Sequence, residues 1–481
     1  MKRIFFTNIL LLVILNILVK AFWVLGIDRS VQNVVGAGDY GFYFSLFSFS
    51  VLFNILLDFG ITNYNNRKVA ADHTQLRLMI GNIFVIRLLF AVVYGIFVFG
   101  LALAIGYRGA RLSLLSVLML NQFLASFIIY LRSNIAALQL YRIDSILSVT
   151  DRFFMILVCG YLLWVRAGGS DFKIEWFVYS QSAAYLITFL LSLFIVIRKG
   201  RIFRLKYDLR GTLKIIRGSA PFALLSLFMA VYWRIDSVML ERLMSEGAIS
   251  TGIYAQAFRL LDAAAMIPYL FAVILLPMFS HLMSSGQKPL QILRFSAVLV
   301  FIPAFAATVI SFLYSFEIMD LLYVEHVSGS ADILAILMAG YIPVSIIYIF
   351  STYLTALGRM KVLIITTGAG MVLNLVLNYI LIPEAGIRGS AFASVTVQTL
   401  MSIAFFFYVI KTEKIPVYTL SIIRLSGYVL PVIVVGLLLH RLDSNWIASS
   451  LIIIFFALVL PFLSSLLNPG EFASFFNKSG K

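Results

Sequence analysis

Fourteen apolar runs of roughly 18 to 25 residues, each long enough to cross about 30 Å of hydrocarbon as a helix, leave this chain few folds to choose from. They cover 4–27, 40–57, 78–105, 112–138, 145–165, 176–197, 219–240, 252–280, 293–316, 333–355, 362–382, 389–410, 420–440 and 446–467. All the connections between them are short. Of the 481 residues, 62% are hydrophobic and 12% charged. A soluble domain is about half apolar and about a quarter charged, so no soluble core could absorb this sequence. The expected fold class is an all-α polytopic membrane protein.

The formal charge of +16 is explained by sidedness, with no need for a nucleic-acid partner. With the N-terminus placed inside, the inner ends of the runs hold 23 Lys and Arg and the outer ends hold 8. Cytoplasmic loops carry such an excess. Both termini are therefore expected in the cytoplasm. The longest polar link, "RKGRIFRLKYDLRGTLKIIRG" (198–218), also falls inside. The single cysteine, Cys159, excludes an intrachain disulfide and any multi-cysteine metal site. The four histidines are scattered, and no metal or organic cofactor is expected. The first run continues to about Ile27 without a small-residue cleavage site, so no cleavable signal peptide is expected.

The chain repeats itself weakly. The outer part of span one reads "VKAFWVLGID", and span two opens "GDYGFYFSLFSF". Span seven reads "VYWRIDSVML", and span eight opens "STGIYAQAFRLLD". Each pair has a cation among aromatics, then Ile-Asp, then Gly-x-Tyr at the start of the next helix. This fits a six-helix unit used twice. The expected division is 1–200, a basic linker 201–218, 219–410, and two further helices with a short tail in 411–481. Such repeats are common in secondary transporters, whose sites lie between the halves.

Six basic residues fall inside spans: Lys20, Arg87, Arg132, Arg152, Arg234 and Arg259. A charge at the centre of a membrane helix costs about 2.5–3.5 kcal/mol on insertion scales, so it normally faces a bundle interior or a water-filled cavity. At a rise of 1.5 Å per residue, Lys20, Arg234 and Arg259 lie roughly 9–11 Å below the outer surface. Arg259 and Asp262, three residues apart, share a helix face. Arg234 and Asp236 point apart, so cross-pairs of Arg234 with Asp262, or Asp236 with Arg259, are expected. Arg87, Arg132 and Arg152 lie nearer the cytoplasm and with Lys20 could form a cationic ladder, although Arg132 and Arg152 could instead snorkel to the inner interface. Lys20, Arg234, Arg259 and Arg87 are the candidate substrate-binding residues. Asp236 and Asp262 are the candidate gating or ion-coupling residues, for a proton or a sodium ion. The competing reading is a buried, self-neutralising structural cluster. Prolines 221, 268, 277, 303, 343, 431 and 461 are expected to kink their helices and free carbonyls. Tyr40, Phe44 and Phe47 share one face and fit an aromatic membrane belt better than a sugar platform.

Three stretches carry a resemblance. "NLVLNYILIPEAGIRGSAFASV" (374–395) resembles the eleventh-to-twelfth-helix signature of polysaccharide transporters in the multidrug/oligosaccharidyl-lipid/polysaccharide (MOP) exporter superfamily. "RIDSVMLERLMSEGAISTGIYAQAFRLLD" and "GDYGFYFSLFSFSVLFNILLDFGITNYNNRKVA" resemble its seventh-to-eighth and second-to-third regions. The resemblance implies a non-enzymatic flippase of the Wzx (O-antigen) type in the bacterial cytoplasmic membrane. Its substrate would be an undecaprenyl-diphosphate-linked oligosaccharide, moved from inner to outer leaflet. It also implies about fourteen helices in two six-helix lobes plus two C-terminal helices, an inverted V around a central cavity. Partners would be that substrate, membrane lipids and polysaccharide polymerase or assembly proteins. Relatives that flip the peptidoglycan precursor carry several arginines in the outer half of the first lobe. Here only Lys20 and Arg29 fall there, which weighs against that substrate. The rival readings are a MATE-like ion-coupled antiporter and, ranked lower, a membrane polymerase or glycosyltransferase.

Overall fold

The computed structural model describes residues 15–16, 18–62, 65, 75–138, 140–166, 171–200, 209–414, 419–442 and 445–467. Both expected cytoplasmic ends and residues 201–208 of the basic linker lie outside the described residues. Among the described residues there are helices and no strands. In chain order they are α1 (Trp23–Asp28, π-helical), α2 (Arg29–Leu52), α3 (Ile55–Asp58), α4 (Gln75–Ala104), α5 (Ala110–Ala137), α6 (Tyr141–Gly160), α7 (Tyr161–Arg166, π-helical) and α8 (Ile174–Gly200). Then come α9 (Leu209–Leu243), α10 (Gly247–Ala264), α11 (Met266–Ser284), α12 (Leu290–Leu313), α13 (Ser315–Leu322) and α14 (Val327–Ala339). The last are α15 (Tyr341–Ala356), α16 (Met360–Glu413), α17 (Thr419–Arg441) and α18 (Trp446–Leu463).

Among the described residues, eleven helices are long and apolar enough to cross a membrane. One of them, α16, has 54 residues and breaks at Gly386 (φ 59°), so it serves as two crossings. The helical residues 18–28 and α2 fall in the first two of the fourteen apolar runs of the sequence. Large apolar side chains line the outside at helical spacing, such as Leu451, Phe455 and Leu458 on α18 and Val92, Ile96 and Phe99 on α4. A soluble monomer does not expose apolar surface on this scale. The chain is a multi-pass membrane protein.

The packing divides the chain into two compact units, Met1–Gly252 and Ile253–Lys481. The first has a core of Ile61, Ile83, Ile86, Leu131, Ile135 and Val196. In the second, α17 and α18 pack on α12 through Ile302, Phe305, Tyr428, Val432 and Ile453. α9 begins at Leu209, ahead of the expected start of span seven at 219, and it lies in the first unit.

Two local expectations change. No loop separates span one from span two: the helix runs from α1 directly into α2, and the turn comes at Gly36 (φ 78°, ψ 168°), where a side chain would be strained. The prolines act unequally. Pro221, Pro277, Pro303, Pro431 and Pro461 sit inside continuous helices. Pro268 follows the break between α10 and α11, and the carbonyl it cannot bond, that of Ala264, accepts a hydrogen bond from Tyr341 Oη at 2.9 Å.

Candidate functional site

The first unit holds a wall of aromatic rings with cations against it. The wider turn of α1 directs Trp23, Ile27 and Asp28 inward, and all three are buried. Trp23 stacks on Phe177 of α8 (centroids 5.6 Å, interplanar angle 6°). Phe177 meets the edge of Tyr43 at 5.2 Å, and Tyr43 stacks on Phe47 at 5.9 Å. Gln181 Nε2 donates to Tyr43 Oη at 3.0 Å, fixing that ring. Tyr40 and Phe44 continue the stack at 6.2 Å. The membrane-belt reading of this face is therefore overturned. Tyr40 and Phe44 are buried because the Tyr40 hydroxyl finds a partner inside, donating to the Asp28 carboxylate at 3.0 Å. Gln32 Nε2 donates to the same carboxylate at 3.3 Å.

Two guanidinium groups lie over this wall, Arg152 at 5.4 Å from the Trp23 centroid and Arg234 at 5.7 Å from Phe47. Cations within about 6 Å of a ring face are attracted by its quadrupole. Arg152 lies on the inward stripe of α6 with Ser145, Ser148, Met155 and Cys159, all buried, while Ile146, Phe153 and Leu157 face outward. Its side chain is still 27% exposed. Its nearest acid oxygen, on Asp151, is 4.0 Å off, and one N–H is donated to Met155 Sδ at 3.0 Å, a weak acceptor. The Tyr185 hydroxyl lies beside it. Asn16 donates to Ser148 Oγ at 2.9 Å. Together with the Trp23–Arg152 contact this sets the helix before α1 parallel to α6. Lys20, one turn beyond Asn16, is then level with Arg152, one turn beyond Ser148.

The other sequence candidates are placed differently. Arg87 is fully buried and paired with Asp58 of α3. It also donates to Thr62 Oγ1 (2.6 Å) and to the Ser126 carbonyl (3.0 Å), and it lies 4.7 Å from the Tyr130 centroid. Arg132 Nε donates to Asp144 Oδ1 at 2.9 Å. Arg87 and Arg132 are thus each matched to an acid. Arg234 and the buried Asp236 belong to the first unit; the half-buried Arg259 and Asp262 belong to the second.

Sequence reasoning missed Asp58, Asp144 and Trp23 as partners of Arg87, Arg132 and Arg152, and Phe177 as the ring stacked on Trp23. It also missed an outer cluster. Glu241, near the end of α9, has Oε1 at 3.1 Å from Arg111 Nη2 and Oε2 at 3.1 Å from Arg242 Nε. Arg242 lies 4.0 Å from the Tyr107 centroid. Burial, with Glu241 beside it, pushes the Tyr107 hydroxyl above the usual tyrosine range, which keeps it protonated. The signal in the sequence is an acid beside a basic residue, Glu241-Arg242, at the end of an apolar run.

Comparison with known proteins bears on this geometry. The model of a family described as "Polysaccharide biosynthesis protein" matches residues 6–283. Comparison with the curated proteins gives no significant match. Among solved structures, the chain is similar to the lipid II flippase MurJ in an inward closed conformation, at 16% identity and TM-score 0.66, over 94% of this chain and 98% of that one. It is also similar to an inward-facing multidrug resistance MATE family transporter of the MOP superfamily (15%, TM-score 0.62, 84% and 96%). A Vibrio cholerae MATE transporter gives 13% identity and TM-score 0.59, over 85% and 95%. At these identities the likeness is one of fold.

Proposed function

Because the chain belongs to the polysaccharide biosynthesis protein family, on a MOP-type transporter fold, we propose that it flips a lipid-linked oligosaccharide across the bacterial cytoplasmic membrane by alternating access. The undecaprenyl diphosphate would enter from the inner leaflet and leave in the outer one. The observation that carries this reading is the cation–aromatic wall. Guanidinium groups bind phosphate through paired, charge-assisted hydrogen bonds. The rings of Trp23 and Phe47 would hold those guanidinium groups in place for the phosphates. Lys20, Arg152 and Arg234 would hold the head group. Asp236 and Asp262 would occupy cations in the empty protein and yield them to phosphate. A substrate drives the cycle only by binding the two states differently, and exchange of a carboxylate for a phosphate does that.

The second reading is an ion-coupled small-molecule antiporter, favoured by the likeness to MATE transporters. Cationic cargo suits an acidic cavity, whereas the spans here hold six cations against Asp151, Asp236 and Asp262. Complementation of a flippase-deficient bacterium separates the two. Wild type should restore surface polysaccharide, and Arg152→Gln and Arg234→Gln, at matched membrane abundance, should not. If both variants complement fully, the wall is packing. If wild type fails to complement and instead lowers drug sensitivity, the antiporter reading takes over.

A further inference from the structure

The outer cluster joins helices that the internal repeat assigns to different halves. Glu241 belongs to α9, the first helix of the second repeat, while Arg111 opens α5, Tyr107 precedes it, and Phe42 lies on α2, all in the first repeat. The Glu241 side chain is only 4% exposed, although it carries a charge. Its desolvation is offset only while cations remain in place, because a buried charge that loses its partner is strongly destabilising. Arg242, the next residue, travels with Glu241 whatever α9 does. Arg111 does not. It reaches from another helix, is 40% exposed, and rests 5.9 Å from the Phe42 centroid and 5.8 Å from that of Tyr107.

The backbone nearby is in closest contact. A Cβ on Gly41 of α2 would collide with the Ala248 carbonyl and the Gly252 backbone, and one on Gly252 would collide with the Ala37 carbonyl. Two glycines thus let α2 and the start of α10 meet main chain to main chain. Gly247 does the same for the turn out of α9, since a Cβ there would strike the Glu241 backbone. Glycine contacts supply shape and no charge, so they are indifferent to which ionic groups are near. The Arg111–Glu241 pair is the ionic part of this seam.

We propose that Arg111 and Glu241 form an electrostatic latch that holds the outer ends of α2, α5 and α9 together, and that this latch opens each time the outer end of the protein opens. The proposal is independent of what is transported. In the latched state Ser45, one turn along α2 from Gly41, is buried. Opening the seam exposes it.

The test uses the full-length chain with its one cysteine removed (Cys159→Ala) and Ser45→Cys introduced. A membrane-impermeant maleimide is added to spheroplasts from outside. Glu241→Gln keeps the side-chain volume and should raise the labelling rate at position 45 about tenfold, equivalent to a shift of about 1.4 kcal/mol in the open–closed equilibrium. Arg111→Gln, which leaves Arg242 on Glu241, should do the same when compared at matched membrane abundance. The exchange Arg111→Glu with Glu241→Arg should return labelling to the slow rate. If neither single variant labels faster, there is no latch. If the singles label faster but the exchange does not slow them, the pair itself is not what holds the seam, and the proposal fails in that case too.

Discussion

Two buried ion clusters in the first unit use the same side chains in opposite ways. In one the cation is buried: Arg87 has no exposed surface, and its partner Asp58 is 24% exposed. Thr62 and Ser126 accept from it, and the Tyr130 ring lies against it. All these residues come from α3 to α5 and the turn between them. In the other the acid is buried and its cross-helix cation, Arg111 of α5, is 40% exposed. The difference teaches where movement is affordable. A guanidinium sealed among four partners ties neighbouring helices permanently, whereas a carboxylate reached by one long, partly solvated arginine can be let go and retaken.

The comparison predicts a descending series. Arg87→Leu leaves the Asp58 carboxylate without its cation. It should cost about 3–5 kcal/mol, as broken buried pairs do, and empty the membrane of protein on an immunoblot. Adding Asp58→Leu should bring abundance back, because a buried pair can be replaced by apolar groups at little cost. Gly252→Val forces the α2 seam apart and should cost about 1–3 kcal/mol as an overpacked contact, read as a lower melting temperature in detergent. Were it to cost nothing, the main-chain contact there would be an accident of packing. Arg152→Gln should leave melting unchanged within about 0.5 kcal/mol while lowering transport at least tenfold. Equal losses in both would make it a second Arg87. The smallest effect belongs to Arg388→Ala. That arginine pairs with Asp332 on the surface at 63% exposure, and such pairs contribute about 0–1 kcal/mol.

Much of this was legible in the sequence because lipid imposes a single rule, one apolar run per crossing. The fourteen spans follow from it. In the repeat the corresponding residues, Asp28 with Asp236 and Tyr40 with Tyr254, turn out equally buried. Pairing was less legible. Arg87 and Asp58 are separated by 29 residues and Arg111 and Glu241 by 130, and helical periodicity links nothing beyond a turn. The π-turn of α1 also escaped notice, since "WVLGID" has the composition of any apolar helix, yet it is what directs Trp23 toward Arg152. Helix breaks were sought at prolines and found at Gly36 and Gly386, where a positive φ admits only a residue without Cβ at no strain.

The most direct test of the whole account is transbilayer movement in liposomes. The purified protein would be reconstituted with a fluorescent undecaprenyl-diphosphate oligosaccharide, and an impermeant quencher would report how much remains on each side. Wild type should equilibrate or accumulate the lipid across the bilayer, and Arg152→Gln should do so at least tenfold more slowly at equal reconstitution. Equal rates for the two proteins would remove the cation–aromatic wall from the mechanism. A wild type no faster than empty liposomes would contradict the flippase assignment itself.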